Sequence, residues 1–124
     1  MEGNVMTTYS GSCHCGAVTF SFDREEPITG GLSCNCSYCE RRAAIMLHPP
    51  VADADLKREV DGDALSCYQF GNKVAKHYFC NRCGNYTFHE TMRKPGYFRV
   101  NLGAIEGVDS FSLEREVFNG RELL

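Results

Sequence analysis

The chain has 124 residues, 43% of them hydrophobic and 23% charged, which is the composition of an ordinary globular protein and the length of one domain. Its net charge of -3 at pH 7 disfavours a phosphate backbone as partner, and thiolate ligation of metal would make the charge more negative. The longest uninterrupted apolar run, residues 43–47, is too short to span a bilayer, and the first ten residues lack a signal-peptide pattern. We therefore expect a single cytoplasmic domain over residues 1–124 that binds neither nucleic acid nor membrane.

Short segments rich in alternating, β-branched and aromatic residues recur along the chain and predict strands. The predicted strands are residues 17–22, 45–48, 65–70, 76–79, 86–89, 97–102 and 110–118. The turn signals between them include Pro49-Pro50, Asp61-Gly62-Asp63, Gly71-Asn72 and Pro95-Gly96. Helical turns are predicted at 37–42 and around 52–57. The sequence thus predicts a mainly β fold.

Eight cysteines are the most informative feature of the composition. In a chain without an export signal, cytosolic reductants keep thiols free, which favours metal binding over disulfides. Seven of the eight fall into two groups with the spacing of metal ligands. The groups are Cys13 and Cys15 with Cys80 and Cys83, and Cys34 with Cys36 and Cys39.

The first group pairs Cys13-x-Cys15 with Cys80-x-x-Cys83. A Cys-x-x-Cys-Gly turn is typical of a zinc knuckle, since Gly84 can take the positive φ that brings both sulfurs to one ion. Cys13 and Cys15 stand where a strand is predicted to begin, and residues i and i+2 of a strand share a face. Four thiolates complete a tetrahedral shell, so we expect a structural zinc site. A redox pair at Cys80 and Cys83, or no metal at all, is the alternative.

The second group, Cys34, Cys36 and Cys39, offers three thiolates to an ion that takes four ligands. Three protein ligands and an open position are typical of a catalytic site, which should hold its ion more weakly than the first group does. Three thiolates favour a soft fourth ligand, such as a substrate thiol that coordination deprotonates.

A second closed, structural site is the alternative, with the fourth ligand supplied by a distant residue. The candidates for that ligand are Cys67, His14, His48, His77 and His89. A lone cysteine in a predicted strand is more often a small buried hydrophobic residue, and we interpret Cys67 in that way.

Arg41 and Arg42 directly follow the second group. They are either surface charge and cover for the sulfurs, or a bidentate clamp for a carboxylate of a small thiol substrate. If residues 37–42 form a helical turn, at least one arginine faces the metal. Beside the site, His77 is a candidate hydrogen-bond donor or proton shuttle and Tyr38 a candidate for substrate positioning, with packed roles as the alternatives.

Four segments in this order, GSCHCGAVTFSF, CNCSYCERR, HYFCNRCG and RVNLGAIEGVD, resemble the glutathione-dependent formaldehyde-activating enzyme family, which includes centromere protein V-like domains. The resemblance covers roughly residues 10–110. It implies a β-tent fold of small antiparallel sheets with two zinc ions. The structural zinc maps onto Cys13, Cys15, Cys80 and Cys83, and the catalytic zinc onto Cys34, Cys36 and Cys39.

The resemblance implies an enzyme that condenses glutathione with formaldehyde to S-hydroxymethylglutathione. This activity is classed as a carbon–sulfur lyase after its reverse direction. Glutathione or a related small thiol would occupy the open zinc position and attack the aldehyde carbon, while Arg41 or Arg42 holds a carboxylate. Asn35 stands where the family often has a histidine. The alternative function is a non-catalytic zinc module that binds a protein partner.

Overall fold

The computed structural model describes residues 6–70, 75–91 and 94–123. The strands are β1 Thr7–Ser12, β2 Val18–Arg24, β3 Gly30–Cys34, β4 Val51–Ala52, β5 Lys57–Val60, β6 Leu65–Tyr68, β7 Lys76–Cys80, β8 Tyr86–Glu90, β9 Tyr97–Val100 and β10 Glu114–Phe118. The helices are α1 Ser37–Arg42 and α2 Gly120–Leu123, and 3-10 turns occupy Asp53–Asp55, Leu102–Ala104 and Ser110–Ser112. The mainly β prediction is confirmed. Neither helix of the described chain has the length and apolar character needed to cross a bilayer.

The strands form three small sheets. One is antiparallel with order β1-β2-β5, and a larger antiparallel sheet has order β4-β9-β8-β7-β6. Strands β3 and β10 pair in parallel. Parallel strands need a long connection, and the chain between β3 and β10 is long enough to provide it. Isolated bridges link these sheets, since Gly11 pairs with Ile105 and Met46 pairs with both Leu32 and Asn101.

The core lies between the two larger sheets. Strand β2 alternates buried and less buried residues, and its inward side chains include Phe20. Phe88 of β8 packs edge-on against Phe20 and Phe98, with ring centroids 6.0 and 5.9 Å apart. Complete burial of one such side chain contributes about 1.5–3 kcal/mol, so this cluster is a main source of stability.

Several predicted elements differ from the observed ones. Residues 45–48 do not form a strand: Met46 makes isolated bridges, and the apolar run is explained by burial of residues 45–47. Strands β1, β3, β4 and β5 were missed. Glycines in β3 and charged residues in β5 have low β propensity, and pairing partners impose the extended conformation. The predicted turn at Gly71-Asn72 lies outside the described residues.

Gly31 in β3 shows how closely the strand that leads to Cys34 is packed. A Cβ atom there would lie 2.7 Å from both Ile45 Cγ1 and the Met46 carbonyl oxygen. We expect Gly31→Ala to lower the free energy of unfolding by about 1–3 kcal/mol, because the backbone oxygen cannot move aside without breaking the Met46 bridges. Urea denaturation under reducing conditions measures this loss.

The matched control is Gly103→Ala, where the nearest atom to a new Cβ is a side-chain oxygen at 3.3 Å. It should cost distinctly less than Gly31→Ala. Equal free energies of unfolding for the two variants would contradict the packing described.

Candidate metal centre

Two tight turns bring the first cysteine group together. Cys13 and Cys15 lie between β1 and β2, while Cys80 ends β7 and Cys83 lies in the turn to β8. The four Sγ atoms lie within 4.8 Å of one another, and Cys15 Sγ is 3.7 Å from both Cys13 Sγ and Cys80 Sγ. A tetrahedral zinc with Zn–S bonds of about 2.3 Å has S···S edges of about 3.8 Å. The sulfur spacing therefore fits a zinc ion.

Both turns end in a glycine whose amide closes the turn. Gly16 and Gly84 take positive φ values of 84° and 77°. Their amides donate to the carbonyl oxygens of Cys13 and Cys80, at 3.2 and 2.8 Å. The expected strand position of Cys13-x-Cys15 is wrong, because this segment is itself a glycine-ended turn that precedes β2. The two cysteine pairs thus lie in similar glycine-ended turns that differ in length by one residue and bring their sulfurs together.

The second group lies where β3 ends and α1 begins. Cys34 is the last residue of β3, Cys36 caps the N-terminus of α1, and Cys39 lies within the helix. Their three Sγ atoms lie within 4.8 Å of one another. Among the described residues, no histidine, cysteine or carboxylate adds a fourth ligand atom to this group.

Backbone N–H groups point at sulfur in both groups. The pairs are Val18 N to Cys13 Sγ (3.3 Å), Arg82 N to Cys80 Sγ (3.4 Å), Cys36 N to Cys34 Sγ (3.4 Å) and Cys39 N to Cys36 Sγ (3.5 Å). Hydrogen bonds of this kind favour the thiolate, which is the form that binds metal. Both donor sets could therefore hold a metal ion, and soft sulfur ligands are consistent with zinc.

The candidates for a fourth ligand to the second group have other positions. Cys67 is exposed on β6, an edge strand, so its interpretation as a buried residue is wrong: one side of an edge strand has no neighbour to cover it. His14 lies exposed in the turn of the first group. The Nδ1 atoms of His48, His77 and His89 face Arg99, Arg42 and Tyr86, respectively.

Arg42 is the charged side chain in contact with the second group. Its Nη2 donates to Cys39 Sγ at 3.3 Å, and its Nη1 donates to His77 Nδ1 at 3.0 Å. Its guanidinium carbon lies 3.7 Å from the ring centroid of Tyr86 and 4.8 Å from that of Tyr38. The two rings and the imidazole thus fix a permanent positive charge beside the sulfurs.

Arg41 has a different environment. Its side chain is 77% exposed, its Nη1 donates to the Ser37 carbonyl oxygen at 2.7 Å, and it lies 3.9 Å from Glu40. Of the two arginines, Arg42 contacts the cysteine group and Arg41 presents its guanidinium to solvent.

Aromatic side chains from distant strands surround the Arg42 contact. The Tyr38 ring centroid lies 5.2 Å from Tyr68, 5.3 Å from Phe70 and 4.6 Å from His77. Sequence reasoning missed Tyr86 as part of this site, because it alternates like any core residue of a strand. Only the pairing of β6, β7 and β8 reveals this neighbourhood.

The electrostatics of the second group follow from its burial. Burial raises the pKa of the Cys39 thiol to about 12, while the charge of Arg42 acts in the opposite direction. A metal ion that binds here must therefore displace a tightly held proton, so metal affinity should fall as the pH falls.

The fold and the two sulfur groups define a small, mainly β protein built around cysteine groups that could hold metal ions. The sequence profile of the glutathione-dependent formaldehyde-activating enzyme family matches residues 8–121, and the chain belongs to this family. The crystal structure of a Rhodobacter sphaeroides protein is similar, with a TM-score of 0.76 and 34% sequence identity. That similarity covers 86% of this chain and 99% of the other.

His77 should stay neutral well into the acid range. Arginine can only donate, so His77 Nδ1 accepts and the ring proton sits on Nε2. Burial, and then the charge of Arg42, lower the pKa of His77 to about 4. We expect ¹⁵N NMR of the imidazole to show the Nε2–H tautomer at pH 7 and a neutral ring at pH 5.

The same pKa shift affects stability. An unfolded histidine has a pKa of about 6.5, so between that pH and about 4 the unfolded chain binds the additional proton. The contribution of His77 to stability is therefore lost as the pH falls through this window, and His77→Gln should remove that part of the pH dependence. An imidazolium signal from His77 at pH 6 would contradict the assignment.

Proposed function

We propose that the chain is a zinc-dependent carbon–sulfur lyase that acts on glutathione, or a related small thiol, and formaldehyde-like adducts. The observation that carries this proposal is the second cysteine group, in which three Sγ atoms lie within 4.8 Å with no fourth ligand atom from the described residues. The name of the family supports glutathione and formaldehyde as the substrate class.

We assign the two cysteine groups different roles, with two ions per chain. The structural ion is held by Cys13, Cys15, Cys80 and Cys83, and the catalytic ion by Cys34, Cys36 and Cys39. The four-thiolate shell is complete and clips the β1–β2 turn to the β7–β8 turn. A zinc ion held by the three thiolates would supply an acidic position at which a substrate thiol loses its proton.

Arg42 offsets the negative charge of the second group. Three thiolates and one divalent cation sum to a single negative charge, which opposes the approach of a further thiolate. Two unit charges about 4 Å apart interact by about 4 kcal/mol at an effective dielectric constant of about 20. A guanidinium whose Nη2 lies 3.3 Å from Cys39 Sγ is close enough to balance that repulsion.

Arg41 is the better candidate for holding a substrate carboxylate. The guanidinium of Arg42 is engaged by Cys39, His77 and two tyrosine rings, whereas Arg41 is largely exposed. To receive a carboxylate, Arg41 has to give up at most its bond to the Ser37 carbonyl oxygen and its exposed ion pair with Glu40. Arg42 would lose its contacts with Cys39 and His77.

The proposed condensation needs no covalent bond to the protein. The thiolate sulfur of the substrate attacks the aldehyde carbon and a carbon–sulfur bond forms. The electron pair of the carbonyl moves to oxygen, which takes up a proton equivalent to the one released by the thiol. Cleavage of the adduct is the reverse of these steps.

We also propose that residues 1–124 form a single domain that works in the cytoplasm. The core between the larger sheets and the bridges made by Met46 join the described elements into one unit. The thiols of the described cysteines are all free, which suits a reducing compartment.

Cobalt-substituted protein tests for an open thiol-binding position. We expect a saturable change in the thiolate-to-cobalt and d–d absorption bands when glutathione is added, because a new sulfur ligand alters the metal's coordination. Cys36→Ser should abolish the change. Cys67→Ser is the matched control, since Cys67 is exposed and lies outside both groups. A spectrum of the fully loaded protein that ignores glutathione would overturn the proposal and favour a closed zinc module.

Substitution of Arg41 tests the carboxylate contact. We expect Arg41→Gln to weaken glutathione binding to the cobalt protein by roughly three- to tenfold, the effect of one exposed charge-assisted contact. Binding of 2-mercaptoethanol, which has no carboxylate, should be unchanged. An equal loss for both thiols would show that Arg41 acts on the cysteine group and not on the substrate carboxylate.

A further inference from the structure

We infer that Asn35 is a positioning residue through which the C-terminal clamp, residues 118–122, holds the three-cysteine loop in its metal-binding shape. The inference rests on the proposed function, because it concerns the loop assigned there to the catalytic ion. Neither the family match nor the structural comparison assigns a role to Asn35 or to residues 118–122.

Helix α1 is held in place by a small number of half-buried side chains. None of its residues is buried, so it has no apolar face packed on the core. Arg42 holds its C-terminal end through Tyr86 and His77. Near the N-terminal end of the helix, the Tyr38 ring packs against Tyr68 and Phe70. The segment before the helix, which carries Cys34 and Cys36, is held by other contacts.

Asn35 supplies those contacts from its position between Cys34 and Cys36. Its backbone N–H donates to the Phe118 carbonyl oxygen at 3.2 Å. Its side-chain Nδ2 donates to Asn119 Oδ1 at 3.2 Å, and its Oδ1 accepts from the Arg121 backbone N–H at 2.9 Å. One residue of the loop therefore makes three hydrogen bonds to the clamp.

The fold places the clamp beside the loop. Parallel pairing of β10 with β3 sets Phe118 opposite Cys34, so the chain leaves β10 next to the first sulfur ligand. A second link runs from Arg121 Nη2 to Glu40 Oε1 at 2.7 Å, but these side chains are 62% and 52% exposed. An exposed ion pair contributes little, and the Asn35 amide makes two hydrogen bonds to the clamp, one of them to its backbone, so Asn35 should carry the larger share of the coupling.

The consequence concerns metal affinity more than folding. Loss of the Asn35 side chain would free the loop that spaces Cys34 from Cys36, while the first group depends on turns of other strands. The Asn35 side chain bonds to the clamp and not to a sulfur, through two exposed hydrogen bonds, so its loss should lower metal affinity by roughly three- to tenfold. The effect should be confined to the three-cysteine group.

Competition for zinc with a chromogenic chelator tests the inference. Zinc-loaded protein should release its ions in two steps, and Cys36→Ser identifies the step that belongs to the second group. We expect Asn35→Ala to weaken that step by roughly three- to tenfold and to leave the four-cysteine step unchanged, which also shows that the variant is folded. An unchanged affinity of the second group would overturn the inference.

Matched variants test whether Asn35 acts on the loop through the clamp or independently of it. Asn119→Ala removes the oxygen that accepts from Asn35 Nδ2 and should lose part of the affinity. Glu122→Gln, which alters only the partner of Asn119 Nδ2, keeps that oxygen and should retain most of the affinity. Removal of residues 119–124 should weaken the second group about as much as Asn35→Ala, and adding Asn35→Ala to the truncated chain should cost little more. Fully additive losses would show that Asn35 and the clamp act independently.

The outcomes distinguish this inference from the proposed function, because zinc release is measured without any thiol chemistry. If Asn35→Ala weakens the second group but the cobalt spectrum ignores glutathione, the clamp is supported and the lyase proposal fails. If glutathione binds but Asn35→Ala leaves affinity unchanged, the lyase proposal stands and the clamp is overturned.

Discussion

The rest of the structure depends on the crowding of thiol groups at two points where tight turns converge. Sulfurs within 4.8 Å of one another cannot all be thiolates unless positive charge and hydrogen-bond donors meet them. The protein supplies the donors from its own backbone, and at the second group it adds the guanidinium of Arg42. The first group also joins sheets that pack against each other through Phe20 and Phe88, so its chemistry and the fold are linked.

The two groups accommodate their crowded sulfurs in different ways, and this difference suggests a function. The first consists of two similar glycine-ended turns and is complete with four sulfurs. The second is built where a strand passes into a helix that has no buried residue. Its surroundings are side chains from elsewhere: Arg42 with its tyrosines on one side and the C-terminal clamp at Asn35 on the other. A structural metal site needs only a complete set of ligands. A site with a free coordination position also needs neighbouring side chains that are held in place.

The elements that were predicted correctly are those with strong local signals. Helix α1 has the predicted bounds, and Cys36 caps it by accepting from the Cys39 N–H. Strands β7 and β8 follow from short runs of aromatic and β-branched residues. Strand β3 could not be predicted, because Gly30 and Gly31 have low strand propensity and only pairing with β10 holds them extended. Cys67 was misjudged because alternation defines two faces of a strand but not whether either one is covered.

The sequence by itself determined the mainly β class, the two ligand groups and the family resemblance. These depend on spacing over a few residues, where the geometry of turns and strands leaves few possibilities. Only the tertiary structure decided that Arg42 contacts Cys39 while Arg41 faces solvent, that no described residue joins the second group as a fourth ligand, and that Asn35 is bound by the C-terminal clamp. Those facts depend on strand order and register, which set distances between residues far apart in the chain, and no local pattern encodes them.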